Sequence, residues 1–218
     1  MKHHLLMVSL LILGLCVFGA SAAAQPPVPI SQDFFKVNYF ANNGVSGAPD
    51  ATVRINNPGS PAVTTGLTPG VTPLTVPEAI NLCAMIYVFD NDQQLTECCG
   101  CEITPDGLRT LSVSKDLTSN PLTGIVSNSG VIQIISTPIN DEPCDPTGST
   151  GPVAPVAAFR AWATHIENKV GSSYPITETE FSNATLSGEE FGTDLLGQCF
   201  FAQRLGSGHG VCSCGTGD

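Results

Sequence analysis

The sequence predicts a mainly β fold: an antiparallel β-sandwich with one C-terminal helix packed on it and disulfides tying the parts together. Three observations predict it. Short alternating or wholly apolar runs recur between clusters of Gly, Pro, Asn and Asp. A single segment, residues 187–205, carries a complete set of helix start and stop signals. Eight cysteines follow a start that reads as an export signal.

The strands come in order. DFFKVNYFAN (33–42) is aromatic and β-branched and alternates loosely. ATVRINNPG (51–59) alternates Val53 and Ile55 with polar residues and stops at a turn. Residues 60–78 hold Pro61, Pro69, Pro73 and Pro77, so they read as an extended, exposed connection. LCAMIYVFD (82–90) is apolar on both faces, the mark of a buried central strand, and QLTECCGCEIT (94–104) can return as its hairpin partner. GLRTLSV (107–113) and GVIQIIST (130–137) complete a β core over about 31–137, whose closely spaced short strands point to an immunoglobulin-like sandwich.

A Pro/Gly-rich linker at about 138–155 separates that core from a C-terminal segment, 156–218. Residues 156–170 fit a helical face through Val156, Phe159, Trp162, Ile166 and Val170. Equally, RAWATHI (160–166) facing YPITETEF (174–181) makes a hairpin. Further on, Ser187 with Glu190 forms a capping box. Phe191, Leu195, Leu196, Cys199 and Ala202 share one face, and Gly206 follows the end.

Residues 1–24 read as a signal peptide: Lys2 and two histidines, an apolar run over 5–20, then Ala22 and Ala24 at the positions a signal peptidase reads. The run is shorter than a bilayer span. Cys16 lies inside it after a bulky leucine, which argues against lipidation. The mature part, residues 25–218, is expected to be one secreted β-rich domain, periplasmic or extracellular. Without Lys2 the net charge of −11 becomes −12. That surface suits neither nucleic acid nor, after signal cleavage, a membrane. It suits cations, calcium above all, and a cell-surface protein or glycan is the expected partner class. Asn183-Ala184-Thr185 is a glycosylation sequon for a eukaryotic secretory route.

The eight cysteines are Cys83, Cys98, Cys99, Cys101, Cys144, Cys199, Cys212 and Cys214. An even count in an exported chain favours four disulfides, for which 105 pairings exist. Bonds inside the crowded 98–101 and 212–214 clusters are disfavoured by disulfide geometry. Those clusters hold five sulfurs against three isolated ones, so at least one bond must join the two clusters. The rival readings are a soft-metal site of zinc or Cu(I) built from CCGC and CSC, and a redox C-x-x-C, which lacks its usual βαβ setting.

Among other groups, Asp90, Asp92 and Glu97 offer oxygens to calcium, but the loop lacks the glycine and third ligand of an EF-hand. A solvated turn accounts for the same residues. The histidines of the mature part are His165 and His209. Ser207 beside His209 is the nearest approach to a hydrolytic pair, with no G-x-S-x-G elbow. The expectation is a secreted, non-catalytic structural, adhesive or ligand-binding surface protein with no cofactor. A metal-binding protein is the alternative, and a small hydrolase ranks third.

Overall fold

Alternation of apolar side chains along short strands demands two surfaces that bury them, and two antiparallel sheets supply these. A computed structural model describes residues 32–59, 63–64, 79–139, 144–150 and 154–215, all inside the unit Ser31–Asp218. The expected signal peptide, most of the 60–78 connection and residues 140–143 and 151–153 of the linker lie outside the described residues. The strands are β1 Gln32–Phe40, β2 Thr52–Asn56, β3 Val63–Thr64, β4 Leu82–Asp90, β5 Leu95–Ile103, β6 Leu108–Ser112, β7 Gly130–Pro138, β8 Val156–Ala157, β9 Arg160–Ile166, β10 Ile176–Glu180 and β11 Ser182–Ala184.

One sheet has five strands in the order β11-β1-β7-β4-β5. The other has four, β10-β9-β2-β6, and β3 pairs with β8 alone. All named pairings are antiparallel. Alternation assigns the faces. Ala84, Ile86 and Val88 of β4 with Ile132 and Ile134 of β7 meet Val53, Ile55, Leu111, Ala161 and Ala163 of the second sheet in one core. Met85 and Tyr87 of β4 point the other way. They join Phe34, Phe35, Ile135, Leu186, Phe191, Leu195 and Cys199 in a second core under the helix. β4 is therefore buried from Leu82 to Val88 because both its faces are covered.

Within the 156–170 segment, Val156–Ala157 and Arg160–Ile166 are strands and no helix forms. β9 inserts between β2 and β10, placing Ala161 opposite Ile55 and Ala163 opposite Val53. That pairing satisfies the backbone of β2 on its open side, which a helix could not do. The Pro-rich connection differs from expectation at Val63–Thr64, which pairs with β8. β11 is a short strand held on β1, and the buried Lys36 Nζ of β1 donates to Asn183 Oδ1 (2.7 Å) and Asp33 Oδ1 (2.8 Å) beside it.

The C-terminal helix begins at the predicted capping box. Glu190 N–H donates to Ser187 Oγ (3.1 Å), and Ser187 N–H donates to Glu190 Oε2 (3.4 Å). Its first part, Glu190–Leu196, is wound as a π-helix in which Gly197 N–H reaches back to Gly192 O. Gly197–Arg204 follows as α1. Phe191, Leu195, Cys199 and Ala202 face inward, with Leu196 packed beside them.

Candidate functional site

The ECCGC stretch sits on β5, and the two faces of that strand divide its residues. Cys99 and Cys101 point into the core between the sheets, where Cys99 bonds Cys212 and Cys101 bonds Cys214. Cys98 points to the opposite face and bonds Cys199 of α1. Gly100 shares that face with Cys98. The Cys83–Cys144 disulfide lies against it so closely that a β-carbon on Gly100 would fall 2.3 Å from Cys144 O and 2.8 Å from its Sγ. Only glycine fits. Two bonds thus join the 98–101 and 212–214 clusters, where the count of cysteines requires at least one.

The two inner disulfides form a ladder with equal sequence separations of 113 residues, because the tail runs parallel to β5. Cys98 N–H donates to Gly210 O (3.0 Å) and Cys212 N–H donates to Cys98 O (3.3 Å). β5 is the last strand of its sheet, so the tail covers an edge that would otherwise present unpaired backbone groups. Asn120 fastens both layers. Its Nδ2 donates to Gly208 O (2.8 Å) and Val211 O (3.2 Å), and its carbonyl accepts from Gly210 N–H (2.8 Å).

Glu97 is the residue whose role the sequence conceals. It is fully buried, and its Oε1 accepts from Asn120 N–H (2.8 Å) while Oε2 has no partner. Burial drives its pKa up to about 8, against a smaller lowering by the Asn120 amide, so the carboxyl holds its proton far above the usual carboxylate range. The structure separates it from the other calcium candidates. Asp90 Oδ1 instead accepts from the backbone N–H of Asp92 and Gln94 (both 2.9 Å), closing the β4–β5 turn, and Asp92 is exposed. Among the described residues, the metal-ligating set with ligand atoms within 4.8 Å of one another is Cys99, Cys101 and Cys214.

Ser207 and His209 lie on the exposed turn before Cys212, where Ser207 Oγ accepts from the backbone N–H of His209 (3.2 Å). The sequence proximity is spent on that local turn. His165 is buried on β9, with Nε2 2.6 Å from Thr179 Oγ1 and its ring stacked 4.1 Å from Tyr39. Burial lowers its pKa, outweighing Glu167 and the Tyr39 backbone. Asn183 of the sequon is exposed on β11.

Open space gathers elsewhere, along the rim formed by the β4–β5 turn, the 122–128 loop and the helix. A cleft of about 400 Å³ is lined by Phe89, Asp90, Gln93, Gln133, Asp194 and Gln198, among others. Gln198 also lines a second, more apolar cleft of about 430 Å³ with Leu95, Leu122 and Phe201. Asp90 lines a third, about 400 Å³, with Thr123, Ile125 and Ser127. Gln133 Oε1 is buried at the first cleft without a hydrogen-bond partner. Loops and a helix held on a rigid sheet are where recognition surfaces are commonly built.

The disulfides fit an oxidising compartment, and no helix among the described residues is long and apolar enough to cross a membrane. No protein family, curated protein or solved structure matches this chain.

Proposed function

We propose that the chain is an exported, non-catalytic binding protein: a surface domain, held rigid by four disulfides, that takes a glycan at the rim between the helix and the β4–β5 turn. The observation that carries this reading is the continuity of the clefts, which share Gln198 on one side and Asp90 on the other. Their polar groups suit hydroxyl-rich ligands. Gln93 and Gln198 both donate and accept hydrogen bonds, Asp90 and Asp194 accept them, and Phe89 offers an apolar face.

The frame supports the same reading. Two antiparallel sheets share one core, as an immunoglobulin-like sandwich would, and such frames present recognition loops at their ends. The disulfides support export.

The test is a glycan array probed with the oxidised, mature chain, followed by a double variant, Asp194→Ala with Gln198→Ala. Both residues are exposed on the helix, so folding is retained. The proposal expects a defined glycan class to bind and the double variant to lose it at unchanged melting temperature. Silence across the array, or binding that ignores both substitutions, rejects it.

A further inference from the structure

The structure assigns Cys99, Cys101, Cys212 and Cys214 as a latent four-thiolate site for one soft metal ion, zinc or Cu(I), formed when the two adjacent disulfides of the inner ladder are reduced. The eight cysteines are not equivalent. Cys98–Cys199 and Cys83–Cys144 leave β4 and β5 on the helix-covered face. The inner four gather in the other core, two from β5 and two from a tail running parallel to it. The sulfurs of Cys99, Cys101 and Cys214 all lie within 4.8 Å of one another; Cys212 lies outside that set and is bonded to Cys99. A tetrahedral zinc site with Zn–S bonds of about 2.3 Å needs sulfurs about 3.8 Å apart, so small shifts suffice for Cys99, Cys101 and Cys214, and Cys212, once released from Cys99, turns its side chain to supply the fourth.

Two C-x-C arms held side by side are a chelate in which the backbone already supplies the geometry. The tail's hydrogen bonds to Cys98 and Asn120 keep the arms aligned independently of the disulfides. Arg109 adds positive charge at the rim, donating to Cys214 O (3.4 Å) and Glu102 O (2.9 Å), which favours thiolates nearby. Cys214 is half-buried while the other three are buried, so reductant enters through the Cys101–Cys214 bond.

The chemistry balances with a dithiol as reductant. Each disulfide takes two electrons and two protons from one dithiol, which closes to its own disulfide. Binding the metal then releases the four thiol protons to solvent. The site is independent of the glycan cleft, so the two proposals fail separately.

The test uses the full mature chain, reduced stepwise without oxygen by a water-soluble phosphine that leaves as its oxide. Co²⁺ is then added as a spectroscopic stand-in for Zn²⁺. The expected result is one Co²⁺ per chain, with visible bands of tetrahedral cobalt and near-ultraviolet thiolate charge transfer, displaced by Zn²⁺. Alkylation in the presence of Zn²⁺ should spare Cys99, Cys101, Cys212 and Cys214 as a set. A variant with Cys101→Ser and Cys214→Ser keeps the other three disulfides and should lose the bands. No Co²⁺ bands at any stage of reduction overturns the assignment. So does a protected set that includes Cys83, Cys98, Cys144 or Cys199, or unaltered bands in the double variant.

Discussion

Gly100 and Cys144 occupy almost the same space: a β-carbon on the glycine would stand 2.3 Å from the cysteine's carbonyl oxygen. The contact exists because Cys144 must reach Cys83 across the face of β4, and Gly100 sits directly opposite Met85 on the adjoining strand. The obstruction is backbone rather than a flexible side chain, so it cannot swing away. Gly100→Ala is therefore expected to destabilise by about 1–3 kcal/mol or more, as overpacking does. Denaturant melting of the oxidised protein reads this directly, and an unchanged midpoint would contradict the close packing.

Glu97 predicts a pH dependence. Its unfolded carboxyl releases a proton near 4.5, while the folded one holds it until about 8. Between those values the unfolded chain binds fewer protons, so this residue's contribution to stability falls as pH rises and levels off above about 8. Glu97→Gln keeps the acceptor for Asn120 N–H and removes the titration. Melting temperatures from pH 5 to pH 9 should decline more steeply for the wild type than for the variant. Parallel profiles would mean that Glu97 ionises freely in the folded state.

The Cys98–Cys199 bond fastens α1 to the outer face of β5. Replacing both residues by alanine removes a constraint spanning 101 residues of sequence, and a cost of about 2–5 kcal/mol is expected. The inner core does not contain these sulfurs, so the sheets should persist while the helix loosens from Phe34, Tyr87 and Ile135. Amide exchange is expected to quicken over 190–204 and remain slow in β4 and β7. Uniform quickening would show the two cores to be one cooperative unit.

Asn120→Ala removes both side-chain bonds to the tail, and a loss of about 1–3 kcal/mol follows from two unmade hydrogen bonds. The Gly208 and Val211 carbonyls are the groups released, so the effect should concentrate at 208–212. Amide exchange confined to that segment is the expected signature, and global destabilisation without local change would refute the fastening role.

Much of this arrangement is legible in the residues, for identifiable reasons. Period-two alternation along a strand is enough to separate Cys98 from Cys99 and Cys101, and counting sulfurs links the two clusters. Counting cannot choose which sulfurs pair, because that depends on the tail running parallel to β5 in a particular register. β8 and β11 are two and three residues long and exist through their partners, so no local pattern marks them. Residues 160–166 carry apolar spacing that suits helix or strand, and the open side of β2 decides between them.

Glu97 lies near Asp90 and Asp92 in sequence and so reads as part of an acidic loop. An irregularity in the ladder between Val88 and Phe89 leads the chain out of the turn and into the buried part of β5, where alternation places Glu97 on the same face as Cys99. The clefts are equally hidden, since Gln133 on β7 meets Asp194 and Gln198 of the helix across a wide sequence separation.

The most direct test of the account is disulfide mapping of the unreduced mature protein, using stepwise reduction and alkylation with fragmentation between the adjacent Cys98 and Cys99. The expected bonds are Cys83–Cys144, Cys98–Cys199, Cys99–Cys212 and Cys101–Cys214, with no free thiol. A bond within either cluster, an exchange of partners between Cys98 and Cys99, or free thiols in the purified protein would contradict this pairing.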